Sequence, residues 1–221
     1  MYKITVSDKL KSVCPNYRRV AILASVENTK INKDLWKQID EFTEYLLKSK
    51  TIDEVKLHPA IEATREAYKR LGKDPNRYRP SAEALQRRLL RGIPLYQIST
   101  LVDLVNLVSL KSGYSIGGFD ADCIVGNELE LGVGEPNEPF EAIGRGEMNV
   151  DCLPLYRDSK GGIGTPTSDH ERSKLSINTK KILILINSYS GSYKLKDAAD
   201  FTIELLRNYS NATNIWVHYY K

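Results

Sequence analysis

Histidine and cysteine are scarce in this chain of 221 residues, and that scarcity removes several chemistries at once. The three cysteines, Cys14, Cys123 and Cys152, are odd in number, widely spaced and never paired as Cys-x-x-Cys. Neither a disulfide framework nor a zinc knuckle is indicated. The three histidines, His58, His170 and His218, lack metal-ligand spacing, so no metal and no cofactor is expected. A phosphate-cradling Gly-x-x-x-x-Gly-Lys-Ser/Thr, a Gly-x-Gly-x-x-Gly after a strand and a Gly-x-Ser-x-Gly nucleophile elbow are all missing. Long apolar runs are missing too. Residues 20–24 and 182–186 are strand-length, against about 20 residues for a membrane helix. Tyr2, Ile4 and Val6 alternate without the apolar core of a signal peptide, which makes the cytoplasm the default compartment.

What is present is ordinary in amount and uneven in placement. Apolar residues make up 41% and charged residues 27%, enough for one full core or two small ones. The net charge is only +4. Between Lys69 and Arg91, however, eight basic residues stand against Asp74 and Glu83, whereas residues 120–172 hold twelve acidic groups against four basic ones. Such polarity suits a partner whose phosphates lie along one face. Cations at a helix C-terminus, where they offset the dipole, would also account for Arg87, Arg88 and Arg91.

Periodicity predicts strands over 2–6 and 18–26, then helices over 32–48 and from Pro59 to Gly72. The segment 73–80 has two prolines and no apolar period, and reads as an extended loop ordered by contacts. Ser81 reads as the cap of a short helix reaching Arg91, with Glu83 near its positive end. Beyond a buried helix over about 100–111, the period turns strand-like. A Gly126-Asn127 turn suggests a hairpin, followed by strands at 149–156 and 181–188. A helix from Asp197 to Tyr209 and a strand over 215–220 complete an α+β unit with a largely antiparallel or mixed sheet packed against several helices. Residues 1–54 read as a strand-strand-helix elaboration of a core spanning 55–221.

The buried helix carries the most informative pattern. It is apolar around almost its whole circumference, yet Asp103, Asn106 and Ser109 recur every third position along one side. Burying a neutral polar group without a partner costs about 2–7 kcal/mol, so either the fold or a ligand must supply partners. Asp103 lies in the first turn and can accept from free amides there, while Asn106 can bond a nearby loop backbone. Gly117-Gly118 allows a backbone to approach a ligand closely, or simply makes a turn, and Asp120 beside it can cap that turn. Arg79 can bridge to Asp103, to Asp120 or to phosphate. The segment 158–172 is long, glycine-rich and then polar (Thr165, Thr167, Ser168, Asp169), and its length without obvious structure favours a functional loop.

In order, these stretches read Arg79-Pro80-Ser81-x-Glu83-Ala84-Leu85-x-Arg87-Arg88, Leu101-Val102-Asp103-x-x-Asn106-x-Val108-Ser109-Leu110, Gly117-Gly118-x-Asp120 and Gly164-Thr165-Pro166-Thr167-Ser168-Asp169-x-Glu171-Arg172. Together they resemble the editing and tRNA-binding domain of the phenylalanyl-tRNA synthetase beta subunit, most closely the free-standing proteins built from that domain alone. The resemblance spans about residues 55–210. It implies an α+β fold and a partner that is tRNA or aminoacyl-tRNA, in a family whose synthetase members hydrolyse wrongly charged tRNA. On that reading Asp103 or Asp120 would orient the attacking water. Asn106, Gly117, Gly118, Thr165, Thr167 and Asp169 would hold the ester, and Arg79, Arg87, Arg88 and Arg91 would meet phosphates. A non-catalytic module that binds RNA or a small amino-acid-like ligand is the alternative. Nothing resembles a synthetase's aminoacylating core, and the sequence leaves the oligomeric state open.

Exhaustive chelation is expected to leave folding and any esterase activity intact. Stoichiometric zinc in the purified protein, with unfolding on its removal, would contradict this.

Overall fold

Two strands that are apolar on both faces decide the architecture. In the computed structural model, which describes residues 2–192 and 194–220, β2 (Arg18–Ser25) and β9 (Lys181–Ser188) pair antiparallel along their whole length. Val20, Ile22, Ala24, Ile182, Ile184 and Ile186 point to one side, and Ala21, Leu23, Leu183 and Leu185 to the other. With period-2 alternation and no polar face, each side must be covered. Fully burying one such side chain stabilises by about 1.5–3 kcal/mol.

The remaining elements supply the two covers. In chain order they are β1 (Lys3–Val6), α1 (Asp8–Val13), β2, α2 (Lys33–Ser49), α3 (Pro59–Leu71), α4 (Ser81–Leu90), α5 (Thr100–Ser112), β3 (Ile116–Asp120), β4 (Glu128–Val133), the short β5 (Glu141–Ala142) and β6 (Gly146–Glu147), β7 (Pro154–Asp158), β8 (Gly161–Gly164), β9, α6 (Leu195–Ser210) and β10 (Thr213–Tyr220). The first sheet runs β10-β2-β9-β3. One face meets Leu35 and Ile39 of α2, Leu101, Leu104 and Leu107 of α5, and Leu205 and Leu206 of α6. The other packs on Leu10 of α1, Ala67 and Leu71 of α3, and Leu129, Leu131 and Ile163 of a second sheet. That sheet runs β1-β4-β7-β8, with β1 parallel to β4 and the other pairs antiparallel. The fold is therefore α+β, with antiparallel and mixed sheets. Within residues 1–54, β1 joins the second sheet and β2 lies inside the first.

Local chemistry fixes most helix ends. The Asn32 side chain accepts from the amides of Asp34 and Leu35 to start α2. Pro59 opens α3, and Gly72, at φ 95°, closes it in the left-handed conformation. Three expectations need correcting. Pro80, not Ser81, holds the cap position of α4; Ser81 is its first helical residue and donates its backbone N–H to the Pro166 carbonyl. The expected 124–133 hairpin is absent, because Ile124 and Val125 form no strand. The Val125 amide goes to the Asp158 carboxylate, and β4 pairs instead with β1 and β7. The strand expected from 149 begins only at Pro154, as β7.

Glu83 does more than meet a dipole. It is fully buried, and its two carboxylate oxygens accept from Arg65 Nη1 of α3 and Arg87 Nε, each at 2.8 Å. Removing one member of a buried ion pair leaves the others uncompensated and costs about 3–5 kcal/mol. Glu83→Ala is thus expected to lower unfolding free energy by about that amount in a urea melt. Arg87→Glu, which turns a like charge toward Glu83, is expected to be at least as damaging. A melt of either variant matching wild type would refute the role given to this cluster.

Candidate functional site

The sheet's covers leave an opening beside the edge strand β3. There a cleft of about 380 Å³ is bounded by α5, β3, the first residue of α4 and the turn after β8. One face of α5 contributes Val102, Val105, Asn106 and Ser109, which are spaced at one and two helical turns. Ile98, Ile116, Ile143 and Leu175 add apolar walls, and Ser81, Thr165, Ser168, Asp169 and Lys174 add polar ones.

Gly118 has little room for a side chain. It sits in an extended strand, and a Cβ there would come within 3.2 Å of Val105 and 3.4 Å of Leu175. Gly117 points to the opposite face, where a Cβ would strike the Phe119 ring at 2.6 Å. Neither glycine makes a turn. Gly118 faces the cleft, and Gly117 faces a small enclosed space of about 10 Å³ behind it, roughly the size of one water.

Asp169 stands between these two spaces and lines both. The segment that carries it is more ordered than its composition implies. After β8, Thr165 Oγ1 accepts from the amides of Thr167 and Ser168, and the Thr165 amide donates to the Ser168 carbonyl, folding the chain back so that Asp169 bridges to Gly164. Arg172 then forks onto Asp158 at 2.8 and 3.0 Å. The Gly118 amide donates to Asp169 Oδ2 at 3.2 Å. Burial pushes the Asp169 carboxyl up to about 7, and the Gly118 hydrogen bond draws it partly back. A carboxyl titrating near neutrality beside a cleft can give and take protons there.

The residues anticipated from the sequence divide clearly. Asn106, Gly118, Thr165 and Asp169 meet in the cleft. Gly117 lies one residue too far round, and Thr167 is buried with its hydroxyl bonded to that of Tyr68 at 2.9 Å. The two carboxylates expected to act as catalytic groups, Asp103 and Asp120, do not line the cleft. Asp103 accepts from Trp36 Nε1 at 2.8 Å and from the Ile98 amide at 3.2 Å. Asp120 accepts from Thr179 Oγ1 at 2.7 Å and from the Asp122 amide at 3.1 Å. Among the arginines, Arg87 is engaged with Glu83, and Arg88 Nε donates to the Pro94 carbonyl, whereas Arg79 and Arg91 are exposed. Ser109 belonged to the polar stripe, and that spacing was its signal. Ser81, Ile143 and Lys174 join the cleft through the fold and had no comparable signal. Neither Asn106 nor Ser109 has a side-chain hydrogen-bond partner among the described residues, although Ser109 is buried. No cluster of His, Cys, Asp and Glu among the described residues could hold a metal ion, and no described helix is long and apolar enough to cross a membrane.

An α+β unit with a layer on each face of its first sheet and a cleft at that sheet's edge defines the class, and the sequence places the chain within it. The chain belongs to the B3/4 domain family, which it matches over residues 63–210, about two thirds of its length. In fold it is similar to an N-terminal fragment of the phenylalanyl-tRNA synthetase beta-subunit from Pyrococcus horikoshii, with a TM-score of 0.51 and 16% identity. That likeness covers 100% of this chain and 54% of the other, so the chain spans about half the length of the synthetase fragment. No curated protein matches it.

The hydrogen bonds separate the two polar residues of α5. Asp103→Ala leaves the Ile98 amide and the Trp36 indole unpaired and is expected to destabilise by about 1–3 kcal/mol. Asn106→Ala is expected to cost little, because water replaces the lost group at an open cleft. Denaturant melts of both variants test this, and equal losses would refute it.

Proposed function

We propose that this protein hydrolyses the ester between an amino acid and the terminal ribose of tRNA, with the cleft beside β3 as its site. The observation that carries the reading is one shared wall. Asp169, titrating near neutrality, stands in the same cleft as the unpartnered Asn106 amide and Ser109 hydroxyl. Membership of the B3/4 domain family and the likeness to a phenylalanyl-tRNA synthetase fragment support tRNA as the partner.

Ester hydrolysis asks little of a site beyond a positioned water and donors for the developing oxyanion. Asp169, as carboxylate, takes a proton from the attacking water as its oxygen bonds to the acyl carbon. The ester C–O bond then breaks, and the proton passes from Asp169 to the departing ribose oxygen. Asn106 and Ser109 offer hydrogen bonds to the acyl group. The Gly118 amide, already given to Asp169, positions the base instead of holding substrate. The apolar residues Val102, Val105, Ile98 and Ile143 enclose the amino-acid side chain and exclude bulk water. Asp103 and Asp120 act as supports for the walls. Within this reading, residues 55–221 are the catalytic core and residues 1–54 complete its sheets.

A panel of aminoacyl-tRNAs incubated with the purified protein is expected to show turnover of one or a few members. Asp169→Asn is expected to slow it by about a hundredfold or more, the usual contribution of a general base. Because the reactive form is the carboxylate, the rate should rise with pH up to about 7 and level off above it. That limb should vanish in Asp169→Asn. Stability should run the opposite way. The folded carboxyl is raised from 3.8 to about 7, so the wild type should lose stability relative to Asp169→Asn as pH rises through that interval. Stoichiometric tRNA binding without turnover would make the protein a binding module and overturn the hydrolytic assignment.

A further inference from the structure

The segment joining α4 to α5 holds large apolar side chains in water. Ile93 is 44% exposed, Tyr96 69% and Ile98 57%. Single exposed apolar residues need no explanation, but three within six positions at the rim of a cleft form a patch. Tyr96 is also held in place. Arg88, in the last turn of α4, lays its guanidinium 4.2 Å from the centre of the tyrosine ring. Its Nε donates to the Pro94 carbonyl at 2.7 Å, which fixes the chain just ahead of that ring. Beyond the ring, the Ile98 amide donates to Asp103 at 3.2 Å. The loop is therefore tied down on both sides of Tyr96, and the ring has a cation on one face while most of its surface meets solvent.

The surrounding charge selects the kind of partner. No acidic residue occurs between Glu83 and Asp103. Arg91 begins the loop and is exposed; Arg79, also exposed, precedes Ser81. Ile98, two residues beyond Tyr96, lines the cleft, so the loop that carries the ring and Arg91 runs up to it. An ordered aromatic face among cations suits a nucleobase attached to phosphates better than an apolar protein surface, because every base offers a π-face and every linkage a negative charge.

We propose that Tyr96, backed by Arg88, is a stacking seat for a base of a single-stranded RNA 3′ end, with Arg91 meeting an adjoining phosphate. This rests on the hydrolytic reading only for the expectation that the esterified ribose enters the neighbouring cleft. The seat itself needs only RNA.

The test uses the full chain and a fluorescent short RNA that carries no amino acid and ends in the -CCA common to tRNA. Tyr96→Ala is expected to weaken binding about tenfold, within the range of one base–aromatic stack, and Tyr96→Phe to retain it. The loss should be the same at every salt concentration. Arg91→Gln should instead flatten the log-log salt dependence, by about 0.7 for a phosphate that no longer meets a cation. Equal affinity of wild type and Tyr96→Ala overturns the seat. So does an absence of RNA binding by wild type, which would leave the patch to a protein partner. Tyr96-dependent binding without hydrolysis of any charged tRNA supports the seat while the hydrolytic reading falls. Hydrolysis with KM and affinity unaltered by Tyr96→Ala does the reverse.

Discussion

The structure depends on β2 and β9 having no face that can meet water. A strand pair that is apolar on both sides needs a layer on each side, so α2, α5 and α6 gather on one face and the second sheet with α1 and α3 on the other. Covers of that kind close over the middle strands and can part only at an edge. β3 is such an edge, next to β9, and there the chain has glycine where a side chain would collide with α5 or with Phe119. The cleft is thus a product of core formation, placed where two covers end and where a bare backbone lets a helix and a turn approach closely.

Around that opening, polar groups divide into those satisfied by the fold and those left facing outward. Glu83, Asp103, Asp120 and Asp158 each receive two or more donors and act as joints between segments distant in sequence. Asn106 and Ser109 receive none. Asp169 is intermediate, with a single amide donor and a burial cost that one hydrogen bond does not repay. This gradient of satisfaction follows position more than residue type, since aspartates occur both at its satisfied end and in its middle.

Much of this was legible in the sequence, for identifiable reasons. The α+β class followed from changes of period, and Pro59, Gly72 and Asn32 mark helix ends because their backbone or side-chain chemistry fits only there. The nearly continuous apolar character of α5 pointed to a buried helix, and the structure puts Asn106 and Ser109 of its polar recurrence along the cleft. What spacing cannot supply is the partner across space. Asp103 and Asn106 look alike one turn apart, and only the positions of Trp36 and Ile98 distinguish them. Likewise, Arg87 reads as a surface cation until Glu83 is found buried beneath it. The false hairpin at Gly126 had the right turn residues, but β4 had better neighbours in β1 and β7.

The position of β2 also bears on how such a chain is made. Arg18 lies opposite Ser188 and Ser25 opposite Lys181, while β10, at residues 213–220, covers the other side of β2. A ribosome delivers β2 before β9 and β10, and it must wait until residues 181–220 emerge before either neighbour exists. Until then a strand without a polar face has nothing to pair with, and loop closure of that length is slow. The emerging chain therefore carries an adhesive segment that only residues 181–220 can conceal, and chaperone occupancy during translation should concentrate there.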